Sequence, residues 1–292
     1  MTGFRERLSQ ERILIADGAT GTVLQTAGLP PGVSPERWNL ERPEAIRALH
    51  QAYVEAGADL ILSNTFGGSR LRLGKAGLGD RVREINLAGA GLAREAAGEK
   101  VLVLGDIGPT GRMLKPLGNL AIEEARTSFA EQAAVLADGG VDAIIIETMS
   151  DLKEALAAVE GAKQATNLPI LASMSFDTHG RTMMGVKPEE AAVKLWGLGV
   201  DVVGANCGRS LTETLEAIHK MRDAVPKATL MAKPNAGLPH EKNGKSIYDV
   251  TPDVMAEYAL RFADLGVKIF GGCCGSTPEH IRAIVVTLRG KY

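Results

Sequence analysis

Short apolar runs punctuate the chain at near-regular intervals, and each stops abruptly at a polar residue or a glycine. Eight stand out, over 13–16, 60–62, 101–104, 143–146, 169–175, 202–207, 229–232 and 268–273. Most are continuous rather than alternating, the pattern of parallel strands covered on both faces. Between them apolar residues recur every 3.6 positions, as in Ile46, Leu49, Tyr53 and Val54 over 45–55 and Ala125, Phe129, Ala133 and Leu136 over 123–137. The same period marks 152–165 and 254–265 and predicts amphipathic helices there. Thr251-Pro252-Asp253 and Thr277-Pro278-Glu279 each read as a capping hydroxyl, a first-turn proline and a first-turn acid. Asp151 and Glu154 have capping-box spacing, and Gly57, Gly139, Gly199 and Gly266 fall where helices should end.

Eight strand–helix repeats predict an α/β fold, a single-domain (β/α)8 TIM barrel across residues 1–292. A doubly wound sheet fits less well, because the first turn, Asp17-Gly18-Ala19-Thr20-Gly21-Thr22, does not follow the G-x-G-x-x-G pattern. The longest irregular stretches, 24–41, 107–120 and 236–249, are then expected as loops on the face where strands end, where barrel enzymes build their sites.

Composition changes little in this picture. The 292 residues are 45% hydrophobic and 23% charged, with a net charge of −2. That excludes an electrostatic case for a nucleic-acid or anionic-membrane partner. No apolar run is long enough to span a bilayer, and the start, with Arg5, Glu6 and Arg7, is too charged for a signal peptide. Free thiols without an export signal imply a cytoplasmic protein.

The chemistry is suggested by three cysteines, all at the ends of apolar runs: Cys207, Cys273 and Cys274. Buried free cysteine is often a small core hydrophobe. Three at strand ends suit instead an open zinc site, which takes three protein ligands and leaves a position for substrate, although a fourth protein ligand would make the site structural. Successive side chains on a strand point to opposite faces. The vicinal pair can therefore share a metal only if Gly271, Gly272 and Gly275 break strand geometry there. His50, His179, His219, His240 and His280 lie in no spacing that joins them to the cysteines and read as surface or helix-face residues.

Three thiolates on Zn2+ make a poor Lewis acid for hydroxide but a good receptor for an external thiol, which loses its proton on coordination. That points to alkyl transfer onto a thiol rather than hydrolysis. Asp17 and Glu147, at two other strand ends, would serve a substrate ammonium or simply make structural hydrogen bonds. Backbone N–H groups around Gly18 and Ala19 would receive a carboxylate. Gly105-Asp106-Ile107-Gly108-Pro109 reads as a rigid turn, with Asp106 structural.

Taken together, Gly204-Ala205-Asn206-Cys207 and Gly271-Gly272-Cys273-Cys274-Gly275 resemble the paired zinc motif of the homocysteine S-methyltransferases. The turn at Asp17–Thr22, Asn64-Thr65-Phe66, the stretch Gly105–Gly111, Ile146-Glu147-Thr148-Met149 and Pro234-Asn235-Ala236-Gly237 extend the resemblance end to end. It is nearest to the N-terminal homocysteine module of cobalamin-dependent methionine synthase. The resemblance implies zinc on Cys207, Cys273 and Cys274, homocysteine held through Asp17, Gly18, Ala19, Thr65 and Glu147, and Asn235 covering the open coordination site. The chain stops after its eighth helix, without folate, cobalamin or activation modules. The methyl donor is therefore expected from outside: methylcobalamin, free or on a corrinoid-carrying protein, or a betaine- or S-methylmethionine-type onium compound. Other thiol amino acids as acceptors, and a non-catalytic zinc-thiolate redox or storage barrel, stay open on the sequence alone.

Overall fold

In the computed structural model, which describes residues 3–10, 12–242 and 245–291, the eight apolar runs form one parallel sheet rolled into a barrel. Met1, Thr2 and Tyr292 of the expected domain, and 243 and 244 of the expected seventh loop, lie outside the described residues. The strands are β1 (Leu14–Ile15), β2 (Leu60–Leu62), β3 (Leu102–Ile107), β4 (Ala143–Met149), β5 (Ile170–Met174), β6 (Val202–Cys207), β7 (Leu230–Pro234) and β8 (Val267–Phe270). β8 lies between β1 and β7, and the order then descends to β2. A parallel bridge from Ala16 to Leu60, with the Asp17 N–H donating to the Leu60 carbonyl at 3.1 Å, closes β1 onto β2. Helices alternate with the strands, so the expected (β/α)8 barrel is the observed one.

Continuous apolar strands follow from burial on both faces. Residues of one parity, among them Leu102, Leu104, Ala143, Ile145, Val202 and Met231, pack together inside the barrel with Phe4. Those of the other parity, including Val103, Ile144, Val203 and Leu230, pack outward against the helices. Burying Phe4, on the helix Phe4–Ser9, contributes about 1.5–3 kcal/mol. At the same end, Asp59 receives Arg7, Arg12 and Arg289 at 3.2, 2.5 and 2.9 Å, tying three distant segments just before β2.

The predicted helices appear at Pro43–Glu55, Ile122–Asp138, Leu152–Ala165 and Pro252–Asp264. Thr251 caps the last of these as expected, accepting from the Val254 N–H. Asp151 also caps, but Glu154 does not complete the box. Its buried carboxylate instead accepts the N–H and hydroxyl of Thr110 at 2.8 and 2.6 Å, holding the loop after β3. Gly57, Gly199 and Gly266 adopt positive φ at helix ends, whereas Gly140 (φ 74°), not Gly139, does so after Ile122–Asp138. The stretch 24–41 is not irregular: it carries the second half of a short helix (Gly21–Thr26), a 3-10 turn (Pro35–Arg37) and the helix Trp38–Glu41. Elements this short show no hydrophobic period. The loop after β7 folds into a small hairpin, His240–Lys242 against Lys245–Ile247.

Continuing the inward parity to the strand C-termini changes its character. Leu104 leads to Asp106, Ile145 to Glu147, Leu171 to Ser173, Val202 to Asn206 and Met231 to Lys233, all buried. The barrel interior is thus apolar below and polar at the mouth.

Candidate functional site

Cys207 ends β6 on the outward parity, so a regular strand would aim it away from the mouth. It instead has φ 58°, a left-handed conformation that costs on the order of 1–3 kcal/mol for a non-glycine residue. Thr148, at the end of β4, is left-handed too, with φ 61°. Strain of this kind persists only where the surroundings enforce it, and it clusters at functional sites. β8 stops at Phe270, and Cys273 and Cys274 lie in the turn beyond it, so strand geometry is broken as the vicinal pair requires. Gly275 has φ 80°, and a Cβ there would come within 2.1 Å of the Tyr248 ring. The three cysteines are stitched to the end of β7. The Cys273 N–H donates to the Pro234 carbonyl at 2.9 Å, the Asn235 N–H to that of Cys207 at 3.2 Å, and the Ala236 N–H to that of Cys274 at 2.9 Å.

These constraints bring all three sulfurs within 4.8 Å of one another, with Cys207 Sγ and Cys273 Sγ 2.9 Å apart. Burial and hydrogen bonding polarise the cluster. Hydrogen bonding with Cys207 and Cys273 pulls Cys274 down to about 3, while the same neighbours and burial push Cys207 up. Asn206 supports the sulfurs from inside the barrel. Its Oδ1 accepts the Thr148 N–H and the Ser173 hydroxyl at 2.8 and 2.7 Å. Its Nδ2 donates to Thr148 Oγ1 at 2.6 Å and lies 3.7 and 3.8 Å from the sulfurs of Cys207 and Cys273. Asn235 is buried beside them. Its Nδ2 donates to the Gly208 carbonyl at 2.8 Å, leaving Oδ1 without a partner.

The donor set fits a thiophilic ion. A tetrahedral zinc with Zn–S bonds of about 2.3 Å separates its sulfurs by about 3.8 Å, so the closest pair would open by roughly 0.9 Å. Among the described residues this is the one group of three or more cysteine, histidine or acidic side chains arranged to hold a metal. The histidines stand apart from it. His50 and His280 are buried, and His280 holds the Val250 carbonyl through Nε2 at 2.8 Å.

Across the mouth lie the acids. Asp17 and Glu147 are both buried and share a partner absent from the sequence-based expectation: Lys233, whose Nζ is 3.2 Å from Glu147 Oε2 and 3.8 Å from Asp17 Oδ1. Burial raises Asp17 to about 7 even against the lysine charge, and raises Glu147 as well. Burial alone would lower Lys233, but Glu147 and Asp17, with Cys273 and Asp106 behind them, hold it above its usual value. The signal for Lys233 was its place two residues after Met231, on the inward parity of an otherwise apolar strand. Asp106 is held in its turn through its backbone, as expected, while its Oδ1 is buried without a partner.

Other expected substrate contacts are placed differently. Thr65 is fully buried, its hydroxyl donating to the Asp106 carbonyl at 2.8 Å and paired with Ser63. The Ala19 N–H, expected to be open to a carboxylate, donates to Ser276 Oγ at 3.1 Å, and Gly18 is packed against Ser276 and Tyr53. Among the aromatic side chains, Trp38 and Phe176 belong to the core. Tyr248 lies beside the sulfurs. Burial and the charges of Cys274, Cys273 and Cys207 push it up to about 12.

Residues 14–288 match the family described as homocysteine S-methyltransferase. The chain belongs to that family. It is 36% identical to the methionine synthase of Mycobacterium tuberculosis and 35% to that of Mycobacterium leprae, each over 307 aligned positions covering 98% of this chain. It spans about a quarter of the length of these curated relatives (25%). Among solved structures, the fold of this methyltransferase-family chain resembles the homocysteine methyltransferase MmuM of Escherichia coli in its oxidised and metallated forms. The TM-score is 0.80 at 23% identity, covering 95% of this chain and 96% of that one. A methyltransferase from Methanosarcina mazei follows at a TM-score of 0.65 and 12% identity, over 97% of this chain and 96% of that one. No helix among the described residues is long and apolar enough to cross a membrane.

Proposed function

We propose that this barrel methylates homocysteine to methionine, using zinc held by Cys207, Cys273 and Cys274. The observation that carries the reading is the convergence of three thiols within 4.8 Å beside a buried acidic subsite at one barrel mouth. Zinc on three thiolates supplies acidity to an incoming thiol, so that the thiol is presented as a thiolate at neutral pH. The protein's own residues supply placement. Asp17 and Glu147 receive the α-ammonium, and Asn206 and its partners Thr148 and Ser173 hold the cysteine sulfurs in position. Asn235 Oδ1, anchored beside Cys207 and otherwise unpartnered, covers the open position between substrates. With the amino-acid end fixed, the homocysteine sulfur faces out of the mouth. There its new bond to the methyl carbon forms in line as the donor–methyl bond breaks.

The donor side favours a large partner. The loops after β3, β5 and β7 expose Met113, Leu117, Met183, Met184 and Leu238 around the mouth, and Tyr248 stands at the sulfurs. An apolar rim with so little aromatic surface suits the face of methylcobalamin on a corrinoid-carrying protein better than a small onium donor, which calls for an aromatic cage. The likeness to methionine synthases supports the same assignment.

The test is metal analysis joined to a donor screen. One zinc per chain and methionine formation from homocysteine with methylcobalamin are expected, both lost in Cys273→Ala. Full zinc in that variant would refute the ligand assignment. Turnover with an onium donor alone would move the donor to that class. Stoichiometric zinc without methylation by any donor would make the barrel a zinc-thiolate store or sensor.

A further inference from the structure

Three carboxylates and one ammonium crowd the inner mouth: Asp17, Asp106, Glu147 and Lys233, each less than a tenth exposed. One lysine offsets one carboxylate. Lys233 leans toward Glu147, at 3.2 Å, and stands 3.8 Å from Asp17 Oδ1. Asp17 Oδ2 accepts the Leu62 N–H at 2.8 Å, whereas Asp17 Oδ1 and Asp106 Oδ1 are buried without any partner.

Asp106 is the informative member. Its backbone is fully engaged: the N–H donates to Ser63 Oγ at 3.2 Å, and the carbonyl accepts from Thr65 Oγ1 at 2.8 Å and Gln132 Nε2 at 3.3 Å. The fold therefore pins the residue while leaving one carboxylate oxygen buried and unsatisfied. Burying an acid without a partner is costly. The inward parity of β3 and β7 directs Asp106 and Lys233 to the same interior as Glu147. Burial, and then the charge of Glu147, push Asp106 well above the usual carboxylate range, and Lys233 works against them.

We propose that Asp106 is a third carboxylate of the ammonium subsite, in which Lys233, paired with Glu147, offsets one charge of the three. Burial disfavours ionisation of all three acids in the free site, and an arriving α-ammonium favours it; with the three ionised, the substrate meets the charge of two acids beyond the one that Lys233 offsets. This rests on the acceptor being an amino-acid thiol, as read above. It makes Asp106 and Lys233 a coupled specificity pair. Removing Asp106 alone leaves too little negative charge, and removing both restores the balance.

The experiment is a double-mutant cycle read by calorimetric binding of homocysteine against 4-mercaptobutyrate, which lacks the amino group, with zinc content and circular dichroism as folding controls. It is repeated with methionine against 4-(methylthio)butyrate, which have no thiol to place on a metal. Asp106→Asn should lower the preference for the amino compound roughly 10- to 100-fold with normal zinc, the size of one charge-assisted hydrogen bond. Adding Lys233→Met to it should recover most of that loss. A wild-type protein indifferent to the amino group would overturn both this inference and the homocysteine reading. A discriminating wild type with an indifferent Asp106→Asn, or a double variant no better than Asp106→Asn, would overturn this inference alone.

Discussion

Asn206→Asp isolates one interaction at the sulfur cluster. The side chain keeps its size, and one carboxylate oxygen can still accept the Thr148 N–H and the Ser173 hydroxyl, now at 2.8 and 2.7 Å. Thr148 Oγ1, at 2.6 Å from Nδ2, can reverse and become the donor. What changes sign is the contact with the sulfurs: an N–H donor 3.7 and 3.8 Å from Cys207 and Cys273 becomes an oxygen anion. Two unit charges at that distance repel by about 4 kcal/mol at an effective dielectric constant near 20. The carboxylate can escape part of this by remaining protonated. The net expectation is the usual cost of disturbing a residue that supports metal ligands, roughly 10- to 100-fold in affinity, or about 1.4–2.7 kcal/mol. Competition with a chromophoric zinc chelator measures it directly, with thermal unfolding as the check on the fold. If the variant holds zinc as tightly as wild type, the amide does nothing for the thiolates, and its place beside them is purely structural.

Two further predictions concern the scaffold. His50 is buried on the helix Pro43–Glu55 with neither ring nitrogen partnered, and burial lowers it from 6.5 to about 4. Below the unfolded value the unfolded chain takes up a proton that the folded one refuses. Stability should therefore fall as pH drops through that window, by about 2 kcal/mol between pH 7 and pH 5. Urea unfolding of His50→Leu should lack that component, and an identical pH slope in the two proteins would exclude it. In β6, a Cβ on Gly204 would meet the Met231 carbonyl oxygen at 2.1 Å and its Cγ at 2.4 Å. Gly204→Ala should cost at least about 1–3 kcal/mol through overpacking of backbone against backbone. A melting temperature equal to that of wild type would contradict that close approach.

The barrel could be read from the chain because its evidence is repeated eight times: a run buried on both faces, a polar stop, then a helical period. The thiol cluster could be read because cysteine occurs nowhere else in the chain. Features that depend on a distant partner were harder to see. Glu154 looked like half of a local capping box, but its carboxylate belongs to Thr110 on the loop after β3. Ala19 looked like an open amide until Ser276, at the far end of the sequence, came to lie against it. Lys233 at a strand end resembles an ordinary solvated lysine. Only counting parity from Met231 places it indoors, and only the closed barrel puts Glu147 and Asp17 in front of it. Asp106 was assigned by its turn, which describes its backbone correctly and its carboxylate not at all.

The mouth is divided by strand number. All three sulfurs, with Asn206 and Asn235, come from the ends of β6, β7 and β8 and are stitched together by backbone hydrogen bonds. The buried carboxylates come from the ends of β1, β3 and β4, and Lys233 is the side chain of the sulfur half that reaches across to Glu147 and Asp17. In the proposed reaction, sulfur activation and recognition of the rest of the acceptor then occupy separate sectors of one ring. An evolving or engineered descendant could exchange the acidic sector to accept a thiol with a differently charged tail, while inheriting the sulfur sector intact.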